Sequence, residues 1–239
     1  MIKPRAWALV SGGKDSMTLA HVLASQDMLL GCVAFDTGIA APDWRPFLES
    51  ACADQGWPLT VLQTPHRYED LVRKLGFPGS PKSHGMYMNY LKGRCVREFI
   101  KSQRGTLLAS GVRSGESTRR FGSVREWSVI EGMPIWAPLH DWTTARTWEY
   151  MRAHKLARSP AYTTLGISGD CLCGAFASKG EREDFAYCYP KTFERIAALE
   201  RETGQVWGTR KPGRGKLSKF DRAICVECAP DGSGGSGTR

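Results

Sequence analysis

Residues 11–16 read Ser-Gly-Gly-Lys-Asp-Ser, and these residue types in this order suit the capture of phosphate. Gly12 and Gly13 let the backbone turn sharply and approach a ligand with no Cβ in the way. The N–H groups of such a turn converge on one point, and the dipole of a following helix adds positive potential there. Lys14 adds a mobile cation, and Ser11 and Ser16 add hydroxyls. The string is not a Walker A loop, because that motif sets its Lys directly before the hydroxyl residue, whereas Asp15 separates Lys14 from Ser16.

Two further strings carry polar chemistry. Asp36-Thr37-Gly38 offers a carboxylate and a hydroxyl for ribose hydroxyls or a magnesium-bound water, with a helix-capping Asp as the equal alternative. The run Leu107-Leu108-Ala109-Ser110-Gly111 opens into a stretch bearing Arg113, Glu116, Arg119 and Arg120. Arg forks match phosphate oxygens in pairs, and Glu116 is expected to orient one of them.

The cysteines form the third group. Cys171-Leu172-Cys173 and Cys225-Val226-Glu227-Cys228 together offer four thiolates, a set suited to Zn²⁺ or an iron–sulfur cluster, against the plainer alternative of unligated buried thiols. Cys188 is an alternative ligand, while Cys32, Cys52 and Cys95 read as structural. Lys92 and Arg94 could reach an anionic second substrate, and His84, in a polar loop, reads as an ordinary surface histidine. Trp136, Trp142, Trp148 and Trp207 read as core anchors.

Something must position these groups. Apolar runs predict strands at Ala6–Val10, Gly31–Phe35, Leu59–Leu62, Thr106–Ser110 and Trp127–Ile130. Helical patterns fall between them at Lys14–Ser25, Asp43–Gln55, Tyr68–Leu75 and Met86–Gln103. Strands alternating with helices predict an α/β, Rossmann-like, doubly wound and mostly parallel sheet with helices on both faces. Such sheets bind ligands at the carboxyl ends of their strands, where Ser11–Ser16 and Asp36–Gly38 both fall. A capped helix is expected after Thr143 and another near Lys191–Thr203. The expected division is a nucleotide-binding domain over 1–154, a small cysteine-rich C-terminal subdomain over 155–230 and a disordered Gly/Ser tail over 231–239.

Composition limits the function classes. The 239 residues carry a net charge of +9, which favours polyanionic ligands, nucleotides or nucleic acid. The cluster Arg210, Lys211, Arg214, Lys216 and Lys219 reads equally as a solvated loop or a nucleic-acid contact. No apolar stretch reaches the roughly eighteen residues of a membrane span, and no signal-peptide pattern opens the chain, so a cytoplasmic protein with no membrane partner is expected. Eight cysteines there read as ligands or free thiols rather than disulfides. Oligomeric state is not legible.

The motifs fall in a fixed order. Ser11–Ser16 is followed by Asp36-Thr37-Gly38, then by Gly111-Val112-Arg113-Ser114-Gly115-Glu116-Ser117-Thr118-Arg119-Arg120. Pro134-Ile135-Trp136-Ala137-Pro138-Leu139-His140-Asp141-Trp142-Thr143 and Ser159-Pro160-Ala161-Tyr162 come next. From about residue 5 to about residue 175 the series resembles the phosphoadenosine phosphosulfate reductase family of the adenine-nucleotide α-hydrolase superfamily. The resemblance implies an adenine nucleotide in the crevice, ATP or phosphoadenosine phosphosulfate, with Mg²⁺. Ser11, Gly12, Gly13, Lys14, Asp15 and Ser16 would hold phosphate, Asp36 and Thr37 would lie beside them, and Gly111, Arg113, Glu116, Arg119 and Arg120 would line the far side. Lys14, Asp15 and Arg113 are then the expected catalytic residues. Cluster-bearing relatives among the adenylylsulfate reductases favour [4Fe–4S] over Zn²⁺ at Cys171, Cys173, Cys225 and Cys228.

One departure bears on activity. Reductases of this family use a cysteine in a C-terminal Glu-Cys-Gly-x-His segment, and this sequence has none. The expected function is therefore an ATP pyrophosphatase that adenylylates a second substrate, with sulfur transfer to nucleic acid as one outcome. The alternatives are a sulfonucleotide reductase with a relocated nucleophile, Cys225 or Cys228, and a nucleotide-binding accessory protein in a nucleoprotein complex of a mobile-element or CRISPR-linked system.

Overall fold

A computed structural model describes residues 4–103, 106–116, 124–130 and 132–209. Arg119, Arg120, Cys225, Cys228, the basic cluster at 210–219 and the tail at 231–239 lie outside the described residues.

The first half of the chain alternates strand and helix: β1 (Ala6–Leu9), α1 (Lys14–Ser25), β2 (Leu29–Asp36), α2 (Trp44–Asp54), β3 (Leu59–Gln63) and α3 (Tyr68–Leu75). A long helical stretch follows as α4 (Pro81–Met88), a π-helical turn (Asn89–Gly93) and α5 (Arg94–Ser102). Then come β4 (Leu107–Ala109), a 3₁₀ turn (Ser114–Glu116), the hairpin β5 (Trp127–Ile130) and β6 (Met133–Trp136), and the helices α6 (Thr144–Ala153), α7 (Pro160–Leu165), α8 (Glu181–Cys188) and α9 (Pro190–Thr203).

The six strands form one sheet in the order β3-β2-β1-β4-β6-β5, parallel throughout except for the β5–β6 hairpin. Strand residues alternate between two apolar cores. Ala6, Ala8, Cys32, Ala34, Leu107 and Ala109 face the larger one, which includes α1 and the C-terminal helices. Leu9, Val33, Phe35 and Leu108 face the other, built with Cys95, Val96, Phe99 and Ile100 of α5. Burial on both faces explains the near-continuous apolar runs of the central strands. It makes the fold Rossmann-like α/β, and the strand order reverses between β1 and β4.

Three sequence expectations change. The helix expected over Met86–Gln103 begins five residues earlier, at Pro81, because Ser80 and Ser83 form a reciprocal capping box. Its middle widens into the π turn. The strand β6 was unexpected, because Pro134 argues against a strand; it pairs nonetheless with β4 through Leu108–Ile135 and Ala109–Trp136. His84 is not a surface residue: it is 1 % exposed, with its ring 4.6 Å from that of Phe176.

Helix α6 packs on α1 through a polar cluster. His21 Nδ1 lies 2.9 Å from the Tyr150 hydroxyl, and the His21 and His154 rings lie 4.6 Å apart. Burial, and then the charge of His154, hold His21 below its ordinary value. As pH falls below about 6.5 the unfolded chain therefore binds this proton first, and stability present above that pH is lost as pH falls through the folded-state value. Thermal melts should show Tm falling between about pH 7.5 and about pH 5.5, with a flatter profile in His21→Gln.

Candidate functional site

The turn after β1 is held from several sides. Gly12 takes a φ of +88°, which glycine adopts without penalty, and an added Cβ would sit 3.2 Å from Phe47 Cε1. The Gly12 carbonyl accepts the Ser159 N–H at 2.9 Å, and the Ser11 carbonyl accepts the Trp44 indole N–H at 2.7 Å. Within the turn, the Ser11 N–H donates to Ser16 Oγ at 3.1 Å and Ser16 Oγ–H donates to the Gly13 carbonyl at 3.0 Å. Gly13 is the N-cap of α1 and brings no capping side chain, so the start of the helix is presented to a ligand rather than to its own sequence.

Lys14, Asp15 and Arg113 form a buried triad, with Asp15 and Arg113 fully enclosed and Lys14 2 % exposed. Arg113 Nε and Nη2 donate to the two Asp15 oxygens at 2.7 and 3.3 Å, and Lys14 Nζ lies 3.2 Å from Asp15 Oδ2. Arg113 Nη1 donates to the Trp142 carbonyl and to Thr144 Oγ1, each at 3.2 Å. One guanidinium thus ties the β4 loop to the starts of α1 and α6. Two buried cations thus flank the Asp15 carboxylate beside the turn. Asp15 accepts from Arg113 and faces Lys14, and its part here is to position the two cations.

Gly111 explains how the two halves meet. A Cβ there would lie 2.9 Å from the Asp15 carbonyl oxygen, so the β4 loop and the first turn of α1 touch backbone to backbone. Ser114, further along, donates its N–H and its hydroxyl to the His140 carbonyl at 2.9 and 3.0 Å. Glu116 ends the 3₁₀ turn. The carboxylate that orients Arg113 is Asp15; Glu116 was expected to orient one of the arginines of this stretch, and Arg119 and Arg120 lie outside the described residues.

At the end of β2, Asp36 Oδ1 accepts the Gly38 N–H at 3.0 Å, and Arg45 Nη1 stands 3.7 Å from Asp36 Oδ2. Thr37 Oγ1 donates to the Asp170 carbonyl at 2.8 Å, and the Leu172 N–H donates to the Ile39 carbonyl at 2.8 Å. These bonds lay the Cys171–Cys173 segment along the loop after β2. Asp170 is fixed in turn by Lys92 Nζ and Ser168 Oγ, each 2.6 Å from a carboxylate oxygen. Lys92 is therefore committed to Asp170, and Arg94 pairs with Glu98 at 2.9 Å. The hydrogen bond from Cys173 lowers the Cys171 thiol below its ordinary value against the effect of burial, and Lys92 and His84 add to the lowering.

Cys171 and Cys173 come together through a side-chain hydrogen bond. Cys225 and Cys228 lie outside the described residues, and among the described residues no group of three or more His, Cys, Asp or Glu side chains forms a metal site. Cys188 sits at the end of α8, away from the pair in sequence and element. Cys32, Cys52 and Cys95 are buried in the cores as expected. Trp207 is a core residue whose indole N–H donates to the Leu172 carbonyl at 3.0 Å, while Trp136, Trp142 and Trp148 are partly buried against the core.

Two hydroxyls escaped sequence reasoning. Ser110, at the carboxyl end of β4, and Ser159, whose N–H holds Gly12, are both fully buried with no hydrogen-bond partner for their side chains among the described residues. Ser159 is the N-cap of α7 yet makes no capping bond. Both residues occur in the quoted motifs, but nothing in their spacing marks them out.

Comparison with known proteins agrees with this geometry. Residues 5–173 match the family described as "Phosphoadenosine phosphosulfate reductase domain". Adenosine 5′-phosphosulfate reductases of Allochromatium vinosum and Mesorhizobium japonicum are 22 % and 27 % identical over 65 % and 67 % of this chain. The chain spans only 64 % and 63 % of the length of those relatives. Phosphoadenylyl-sulfate reductase from Candida auris, solved as a phosphate complex, superposes with a TM-score of 0.53 at 15 % identity, covering 69 % of this chain and 79 % of that one. Among the described residues no helix is long and apolar enough to cross a membrane. The match over residues 5–173, which takes in the whole six-stranded sheet and the glycine turn after β1, places the chain in the phosphoadenosine phosphosulfate reductase domain family.

Proposed function

We propose that this chain is an adenine-nucleotide-dependent enzyme that binds the β,γ-phosphates of ATP in the Ser11–Ser16 turn and adenylylates a second substrate. The observation that carries this reading is the Gly12–Gly13 turn at the start of α1, with the buried cations Lys14 and Arg113 held on Asp15 beside it. A substrate oxygen would attack the α-phosphorus, the bond from it to the bridging oxygen would break, and pyrophosphate would leave. Lys14 and the backbone N–H groups of the turn would neutralise the charge that grows on the departing phosphate. Asp36, partly exposed at the end of β2, would hold ribose hydroxyls or a water bound to Mg²⁺. Cys171 and Cys173, with Cys225 and Cys228, would hold a [4Fe–4S] cluster or Zn²⁺, a group able to bind or pass on sulfur when present.

The test is pyrophosphate release from ATP by the full chain, purified without oxygen, across a panel of acceptors. The wild type is expected to release it, and Lys14→Ala to lose at least about 100-fold in turnover. ATP binding without any release would leave an accessory protein, and no binding at all would overturn the reading.

A second reading has its own support. The curated relatives are adenosine 5′-phosphosulfate reductases, and the Cys171–Cys173 segment runs beside the loop after β2. A Cys171 thiolate would attack the sulfonyl sulfur of a phosphosulfate, releasing the nucleotide and forming an S-sulfocysteine. Cys173 would then displace sulfite, and the resulting disulfide would need an external dithiol as reductant. Sulfite release with a dithiol, from protein free of iron and zinc, would support this reading. Bound metal on the same thiols would exclude it.

A further inference from the structure

We infer that a second ligand site lies beside α6, built for a nucleotide unit, meaning an aromatic base carrying a phosphate. A cavity of about 600 Å³ is lined by Trp148, Met151, Arg152, Lys155, Leu156 and Arg158. That volume falls within the usual range for small-ligand sites. Among the described residues its lining combines an aromatic ring and two aliphatic side chains with three cations and no carboxylate. An apolar floor with an unbalanced cationic rim selects a ligand with one flat apolar part and one anionic part.

Arg158 is the central group. Its guanidinium lies 5.0 Å from the Trp148 ring centre and 5.1 Å from that of Tyr162. Aromatic faces steady the cation without consuming its N–H donors, which point outward in the guanidinium plane and suit phosphate oxygens. The backbone supports the arrangement at a cost. Lys155 takes a φ of +50°, uncommon for a residue with a side chain, as the chain leaves α6 and doubles back toward Trp148.

The cavity is linked to the phosphate turn. The Tyr162 ring that contacts Arg158 also lies 5.7 Å from Lys14 Nζ. The order Trp148, Arg158, Tyr162, Lys14 therefore runs from this cavity to the crevice. A nucleotide unit held here would stand next to the bound ATP, where the acceptor of an adenylyl group must be. The identity of the site as the acceptor site rests on the proposed function, whereas its binding of a nucleotide unit does not.

The ligand can come from two sources, a free mononucleotide or one unit of a single strand. Calorimetric titration of the full chain with UMP, with a short oligouridylate and with inorganic phosphate tests both. The wild type and Lys14→Ala should bind UMP alike, and Arg158→Gln and Arg152→Gln should each weaken it by about ten-fold or more. Trp148→Phe should keep the fold and weaken the nucleotide more than phosphate, because a smaller ring stacks less well. An oligomer bound more tightly than UMP, with affinity falling steeply as salt rises, assigns the site to a strand. Equal affinities assign it to the mononucleotide. Failure of UMP and the oligomer to bind overturns the inference. So does binding that survives both arginine variants, or that is lost in Lys14→Ala and so belongs to the turn. Loss of ATP binding in the wild type would instead count against the proposed function alone.

Discussion

Arg113→Leu should destabilise the fold by about 3 kcal/mol, lowering Tm by roughly 6–12 °C for a chain of this size. The reason is the partner left behind rather than the contact removed. Arg113 satisfies both oxygens of a fully buried Asp15, and its third nitrogen anchors the start of α6. Without it, Asp15 keeps only Lys14, through a single contact of 3.2 Å. Arg113→Lys should not restore stability, because an ammonium cannot reproduce the fork or reach the Trp142 carbonyl and Thr144 at the same time. The complementary change, Asp15→Asn, removes the carboxylate that Lys14 and Arg113 both contact. That variant should be destabilised in plain buffer and recover more than the wild type on addition of pyrophosphate, since an anion bound to the native state alone stabilises it by mass action. Melting curves of the three variants with and without pyrophosphate check this. An Arg113→Leu protein that melts with the wild type would show that the triad is not a structural unit.

Much of this was legible in the sequence. The glycine turn announces itself because strand, glycines, lysine and helix follow one another, and each local preference agrees with the parallel sheet. The central strands could be read because burial on both faces makes them continuous apolar runs. Other features depend on tertiary pairing that spacing does not encode. Arg113 and Asp15 are far apart in sequence, so no local spacing marks them as a pair. His84 sits among Ser80, Pro81, Lys82 and Ser83, a polar setting that hides its contact with Phe176. β6 becomes a strand only because β4 offers a free edge, against the preference of Pro134. The cavity beside α6 was illegible for the same reason: Trp148 reads as a core anchor until Arg158 is found against its outer face.

Gly111→Ala should damage the site and the fold together, although it adds only a methyl group. The new Cβ would meet Asp15 O at 2.9 Å, Asp15 C at 3.0 Å and Ser16 N at 3.2 Å, all backbone atoms that cannot rotate away. The first turn of α1 must then move off the β4 loop, which carries Lys14 and Asp15 away from Arg113. Overpacking of this kind costs about 1–3 kcal/mol, and the loosened triad adds to it. Nucleotide affinity should fall by about ten-fold or more, since the turn and its cations are held by that contact. Gly115→Ala is the matched control. It lies in the same loop with no atom of the described residues within 4 Å of an added Cβ, so its stability should stay within about 0.5 kcal/mol of the wild type. Denaturant titration and ATP binding on the two variants separate the cases. If Gly111→Ala bound ATP as tightly as Gly115→Ala, the backbone contact between β4 and α1 would not be what shapes the phosphate site.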